Sequence, residues 1–137
     1  QDYDYVIIDT PPSLGLLTIN SLTPCDLLLI PLQAEFYALE GMSQLIKIVK
    51  MVETRLGSKP TRRVVLTMYD ARTNLSKQVE EQVRSFFKDE VFQTIIPRSV
   101  KLAEAPSHGQ PICLYDPESA GALAYKQLSE EVSALGP

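Results

Sequence analysis

Short, unbroken apolar runs constrain this chain more than any other feature. Tyr5-Val6-Ile7-Ile8 ends at Asp9, and Leu27-Leu28-Leu29-Ile30 ends at Pro31. Val64-Val65-Leu66-Thr67-Met68-Tyr69 precedes Asp70, and Val91-Phe92-Gln93-Thr94-Ile95-Ile96 stops at Pro97. Runs of strand length without strict polar alternation fit strands covered on both faces, as in a parallel sheet. Parallel strands need crossovers, and the stretches between the runs have helical period. Ser13 is placed to cap a helix over about Leu14 to Leu22, which Thr23-Pro24 ends. Ala38 to Leu56 carries Leu45, Ile48, Val49, Val52 and Leu56 at helical spacing, with Gly57 as its terminator. Leu75 to Lys88 turns Val79, Val83, Phe86 and Phe87 inward, with Asn74 or Ser76 near its start. A short helix is predicted over Val100 to Ala105 and an extended segment over Ile112 to Tyr115. The last helix, Ser119 to Leu135, shows a stripe of Ala122, Leu123, Tyr125, Leu128 and Val132. The expected fold is α/β, a parallel sheet with helices on both faces, as a single domain over residues 1–137.

Composition agrees with a packed core: 45% of the residues are hydrophobic and 22% charged, which excludes a disordered chain. No apolar run approaches the ~20 residues of a membrane span. No basic stretch leads into an apolar one, so no secretory leader is expected. The sequence opens on Gln1 rather than Met, which predicts a piece of a longer protein. Cys25 and Cys113 stand far apart, outside any C-x-x-C or Cys/His grouping, and are expected to be reduced structural thiols. The net charge of −4 is uneven. From Lys59 to Lys101 there are nine basic and five acidic residues, while the remainder is strongly acidic. A basic middle of this kind either meets phosphate or is a solvated, mixed-charge surface.

In parallel α/β sheets ligands bind outside the carboxyl ends of the strands. Asp9 lies at such an end, as do the loops Gln33 to Tyr37 and Asp70 to Asn74. An apolar strand ending in Asp has the form of a Walker B segment, whose carboxylate holds the magnesium of a bound nucleotide. The other reading is a carboxylate that only begins a turn. Glu35 and Glu40 flank a helix start, where acids suit the dipole. His108 stands without a Ser/Asp arrangement or a second ligand and is expected to have no chemical role.

Four strings occur in a specific order: Asp9-Thr10-Pro11-Pro12-Ser13; Gln33-Ala34-Glu35-Phe36-Tyr37-Ala38-Leu39-Glu40-Gly41; Leu66-Thr67-Met68-Tyr69-Asp70-Ala71-Arg72-Thr73; and Ile96-Pro97-Arg98-Ser99-Val100-Lys101-Leu102-Ala103-Glu104-Ala105-Pro106-Ser107-His108-Gly109. Together they closely resemble the carboxy-terminal part of ParA/Soj-type chromosome and plasmid partitioning ATPases, P-loop NTPases with a deviant Walker A motif. The resemblance covers essentially the whole chain. It implies a parent protein that binds ATP and Mg2+, forms a homodimer around two nucleotides and binds DNA non-specifically. It also implies stimulation by a ParB-type centromere-binding protein and a cytoplasmic, nucleoid-associated location with no membrane attachment. By the same resemblance Asp9 holds magnesium through water, and Pro11, Pro12 and Ser13 form the switch that follows. Thr67, Met68, Tyr69, Pro97 and Arg98 border the adenine, and Arg72 and Lys101 contact DNA, with Arg98 and Arg84 as further cations.

One departure limits what this chain is expected to do. The six glycines are scattered and form no K-G-G-x-G-K-T loop, and the D-x-D-P-Q segment is also missing. Without a glycine loop no run of backbone N–H groups wraps a phosphate. The expected architecture is therefore an incomplete P-loop NTPase fold lacking the amino-terminal P-loop unit. The 137-residue chain alone is expected not to hydrolyse ATP at a useful rate and to bind neither ATP nor Mg2+ by itself. Two alternatives stand beside this reading. A MinD-like membrane-cycling ATPase should end in a basic amphipathic helix, and the tail here, with Glu130-Glu131, is acidic. A non-enzymatic, partner-binding module without a P-loop is the other.

Overall fold

The structure is a computed structural model that describes residues 3–11, 15–35, 46–47, 49–51, 53–54, 57 and 59–136. Its centre is a three-stranded sheet in the order β1 (Leu27–Gln33), β2 (Thr61–Tyr69), β3 (Val91–Pro97), with both pairings parallel. Helix α1 (Leu16–Leu22) precedes β1, and α2 (Asn74–Phe87) connects β2 to β3. After β3 come α3 (Val100–Glu104), a 3-10 turn (Ala105–His108), the single turn α4 (Ile112–Tyr115) and α5 (Ala120–Ser133).

The middle strand explains the layers. Val64, Val65 and Leu66 are all buried because successive side chains enter two different cores. Val64 and Leu66 join Ile30 and Leu32 of β1 and pack under Val79, Val83 and Phe87 of α2. Val65 faces the other way, with Phe92 and Ile96, against Ala124 and Leu128 of α5. Helices therefore cover both faces of a parallel sheet, as the sequence predicts. A third cluster joins Leu22 of α1 to Val49, with Ile19, Cys25 and Leu28 packed against it. Around Val49, residues 46–47, 50–51 and 53–54 are helical, and Gly57 takes the left-handed φ of +71° typical of a helix terminator. Leu45, Ile48, Val52 and Leu56 lie outside the described residues.

Several expectations need correction. Tyr5 to Ile8 does not form a strand; Val6 is 83% and Ile7 92% exposed. A strand is completed by a neighbour's backbone, and among the described strands none pairs with this run. Helix α1 begins behind Gly15 at the N-cap instead of Ser13, which is outside the described residues. Pro31 does not end β1 but sits inside it, opposite Val65. The position tolerates a missing N–H because β1 has one unpaired side among the described strands. Ile112 to Tyr115 is a helical turn, closed by Leu114 and Tyr115 N–H bonds to the Pro111 carbonyl (both 3.0 Å). Phe86, Leu123 and Tyr125 point to solvent.

Gly121 accounts for the shift in the α5 stripe. A Cβ at this position would stand 2.6 Å from Cγ of Leu102 in α3. Small residues at Gly121, Ala122 and Ala124 let α5 approach α3 and the sheet closely. Gly121→Ala is expected to cost about 1–2 kcal/mol by overpacking, read from the urea midpoint at unchanged slope. Stability equal to the parent's would mean that Leu102 yields freely.

Two irregularities shape the sheet. Between Leu66 and Tyr69 the β2 register gains a residue on β3, and Met68 at this bulge has φ +54°. A non-glycine residue in that region is strained. Between Val91 and Ile95 the extra residues lie on β3. There the Glu131 carboxylate of α5 accepts the backbone N–H of Gln93 (2.9 Å) and of Thr94 (2.8 Å), and also the Thr94 hydroxyl. The bulge thus directs its free donors at a single side chain.

Candidate nucleotide and polyanion edge

The carboxyl ends of all three strands are tied together. The Ala34 N–H, just beyond β1, donates to the Thr67 carbonyl at 2.9 Å, and the Arg98 N–H, just beyond β3, donates to the Tyr69 carbonyl at 2.9 Å. Between them stands the start of α2. Thr73 is the N-cap, just before the Asn74 and Ser76 that the sequence placed near the helix start, and its Oγ1 accepts from the Ser76 N–H (3.2 Å). Ser76 is buried, and its hydroxyl donates to the Ala34 carbonyl (3.4 Å) while accepting the Asp70 N–H (3.3 Å).

On this frame Thr67, Met68, Tyr69, Pro97 and Arg98 form one continuous margin. Met68 is 39% exposed, Thr67, Tyr69 and Pro97 are half-buried, and Arg98 is exposed. The left-handed backbone at Met68 sets this margin's outline. The Tyr69 hydroxyl is turned back to Glu80 of α2, whose acceptance of that hydrogen bond holds the phenol above its usual range. At this margin Met68 and Arg98 are exposed and Pro97 is half-buried; a thioether, a proline ring and a guanidinium are group types that suit the face of an aromatic base.

The cations of the edge are paired. Arg72 grips Asp70 with Nε (2.9 Å) and a terminal nitrogen (2.7 Å), and its own N–H adds a third bond to the same carboxylate (3.0 Å). These side-chain and backbone bonds from Arg72 hold the Asp70 carboxyl down at about 2. Arg98 reaches Glu35 at 2.9 Å, spanning from the end of β3 to the end of β1. Glu35 is therefore the counter-ion of a distant arginine, where the sequence suggested a helix-start acid; Glu40 is outside the described residues. One turn beyond Arg98, Lys101 pairs with Glu104 at 3.3 Å, and the Tyr115 hydroxyl donates to that carboxylate at 3.1 Å. The Tyr115 ring stacks on His108 with centroids 4.9 Å apart. Arg84 does not join this group. It bonds Glu80 (2.9 Å) and the Phe92 carbonyl (3.3 Å), near the opposite end of β3 from Arg98.

Asp9 is exposed on irregular backbone, as is Pro11; Pro12 and Ser13 are outside the described residues. Magnesium favours one or two carboxylates, with water and phosphate completing its octahedron. Asp9 is a donor of that kind, and a single oxygen donor is what it supplies. Among the described residues no three His, Cys, Asp or Glu side chains converge on a metal position.

Known proteins similar to this chain agree with the resemblance carried by the four strings. A family model described as an AAA domain matches residues 1–63. Over 137 residues the chain is 58% identical to the sporulation initiation inhibitor protein Soj of Bacillus subtilis, an alignment covering 99% of this chain and 54% of that protein. It is 51% identical to the chromosome partitioning protein ParA of Myxococcus xanthus, covering 96% of this chain and 47% of ParA. The chain is thus similar to the Soj and ParA partitioning proteins over nearly its whole length. It spans about half the length of these curated relatives. The fold agrees with a solved structure, the cobyrinic acid a,c-diamide synthase of Mycobacterium smegmatis with bound ADP and magnesium. The TM-score is 0.74 at 32% identity, over 96% of this chain and 47% of that one.

In the sequence Glu35 reads as a helix-start acid, and Asp70 and Glu104 stand without an assigned partner. Asp70 and Glu104 stand two and three positions from their cations, a visible signal. Glu35 and Arg98 are 63 positions apart, and no local pattern joins them.

Proposed function

We propose that this chain is the base-side and DNA-side half of a ParA-type partitioning ATPase, folding as one domain and acting within a longer protein. The observation that carries the reading is the identity to Soj and ParA over nearly the whole chain. The chemistry of the strand ends accords with it. In the complete protein Asp9 holds the hydrated magnesium of ATP, and Pro11, Pro12 and Ser13 follow as the switch. Thr67, Met68, Tyr69, Pro97 and Arg98 border the adenine. Arg72, Lys101 and Arg98 lie toward the phosphates of non-specific DNA, and Arg84 supports α2 behind them. The parent dimerises with ATP, responds to a ParB-type partner and works on the nucleoid in the cytoplasm. Magnesium supplies charge neutralisation at the transferring phosphate when bound; this chain's own part is to place one carboxylate, one base-stacking margin and a set of cations.

The test uses the complete protein. Arg72→Ala with Lys101→Ala is expected to weaken binding to random-sequence duplex DNA about 10- to 100-fold at 0.1 M salt and to flatten its salt dependence by about two phosphate contacts. ATP turnover without DNA should stay unchanged. Undiminished DNA affinity in the double variant would overturn the DNA-side assignment, and undiminished turnover in Asp9→Ala would overturn the magnesium assignment.

A further inference from the structure

The window rich in basic residues allows either a phosphate-facing surface or a solvated, mixed-charge one, and the strand-end margin is electrically balanced. Arg72, Arg98 and Lys101 each face one carboxylate, Asp70, Glu35 and Glu104 respectively, at 2.7–3.3 Å. We propose that Glu35, Asp70 and Glu104 are built-in counter-charges that occupy the margin's cations in the free protein and set its affinity for the DNA backbone. This rests on the DNA-side reading above and adds to it a second set of residues of opposite sign.

Three observations support the role. Exposed ion pairs contribute little to stability and open at little cost, so three in a row are poorly explained as structural braces. The Arg72 side chain is 88% exposed, and those of Arg98 and Glu35 are 58% and 49% exposed, so a phosphate oxygen has access to the guanidinium groups without unfolding anything. The pairs are also held in place. Asp70 is fixed by the Ser76 hydroxyl on its N–H, Glu104 by the Tyr115 hydroxyl, and Arg98 by its N–H bond to Tyr69. The field of Arg98 reaches Asp70 as well as Glu35, so the pairs after the three strands act on each other.

The physical consequence is competition. A phosphate approaching Lys101 or Arg98 must displace a carboxylate or bring its own charge beside one. Each retained carboxylate cancels about one phosphate contact in the salt dependence of binding. The margin therefore binds polyanion more weakly than its count of cations suggests, and removing a carboxylate should strengthen binding.

The experiment compares the parent chain with Glu35→Gln, Glu104→Gln and the double variant, titrated with a random-sequence 24-base-pair duplex across a range of salt. Asp89→Asn is the control, since Asp89 is an exposed acid in the 3-10 turn before β3, at the far end of that strand. Glutamine keeps the shape and an acceptor for Arg98 or Tyr115. Each Gln variant is expected to bind about three- to ten-fold more tightly at 0.1 M salt, with a salt slope steeper by up to about one, and the double variant by about the product. Asp89→Asn should change neither quantity by a comparable amount. Equal gains in Asp89→Asn would reduce the effect to net charge and overturn the inference, as would unchanged affinity in the Gln variants, including the case in which no protein binds. Arg98→Gln and Lys101→Gln separate the two ideas. If these weaken binding while the glutamate variants do nothing, the DNA-side reading stands and the counter-charge role fails. If cation variants and glutamate variants are alike silent, the DNA-side reading itself fails.

Discussion

Leu66→Ala is expected to lower the unfolding free energy by about 2–5 kcal/mol, the range for truncating a fully enclosed leucine. Leu66 has no exposure at all and lies on the central strand. Its side chain touches the cluster formed by β1, β2 and α2, so the cavity would open where two strands and a helix meet. Neighbours on parallel strands are held by their ladders, which limits collapse into the space. The measurement is urea unfolding followed by far-ultraviolet circular dichroism, with the midpoint falling at constant slope. A loss below about 1 kcal/mol would place Leu66 in a core that repacks freely, at odds with this sheet.

Glu131→Ala should cost about 2–4 kcal/mol, although the residue is only half-buried and lies on the outer helix. Its carboxylate serves three donors of the β3 bulge, two N–H groups and the Thr94 hydroxyl. Hydrogen bonds to a charged acceptor contribute more than neutral ones, and buried Thr94 would be left with unmet donors. Burial pushes the Glu131 carboxyl upward, but the bonds from Thr94 and Gln93 together outweigh it, and the group ends below its ordinary value. The sign follows from that depression. The unfolded chain takes up the proton first, near ~4.3. The contribution is therefore whole above that value and is lost as pH falls through the lower folded value. Glu131→Gln should retain part of the neutral-pH stability but lose this acid-side slope. An identical pH–stability curve for parent and Gln variant below pH ~5 would refute the account.

The sequence revealed different parts of the fold for different reasons. β2 and β3 were legible because each buries side chains on both faces, which leaves an apolar run with little alternation. Tyr5 to Ile8 has the same signature and is exposed, since apolar character marks a segment that can be covered without providing the cover. The α5 stripe was misread toward Leu123 and Tyr125 because hydropathy favours large residues. Proximity to Leu102 instead selected Gly121 and Ala124. At the candidate site the cations were visible as a count, whereas their neutralisation depended on the fold. Only the sheet puts the ends of β1 and β3 on one edge, flanking the end of β2, and so lets Arg98 reach Glu35.

The Ser76 hydroxyl has a mechanical consequence. It has one proton and two lone pairs, and all three are engaged: the proton by the Ala34 carbonyl, the lone pairs by the Asp70 N–H and the Thr73 hydroxyl. This one atom works as a pivot shared by the exit of one strand, the exit of the next and the first turn of a helix. It joins the segment after β1 to the backbone of Asp70, which the Arg72 side chain clasps. Alanine would cut that linkage, and threonine would have to fit a methyl group at a position only 3% exposed. The loops after β1 and β2 are therefore joined through one buried atom, so a displacement of either is expected to be felt by the other.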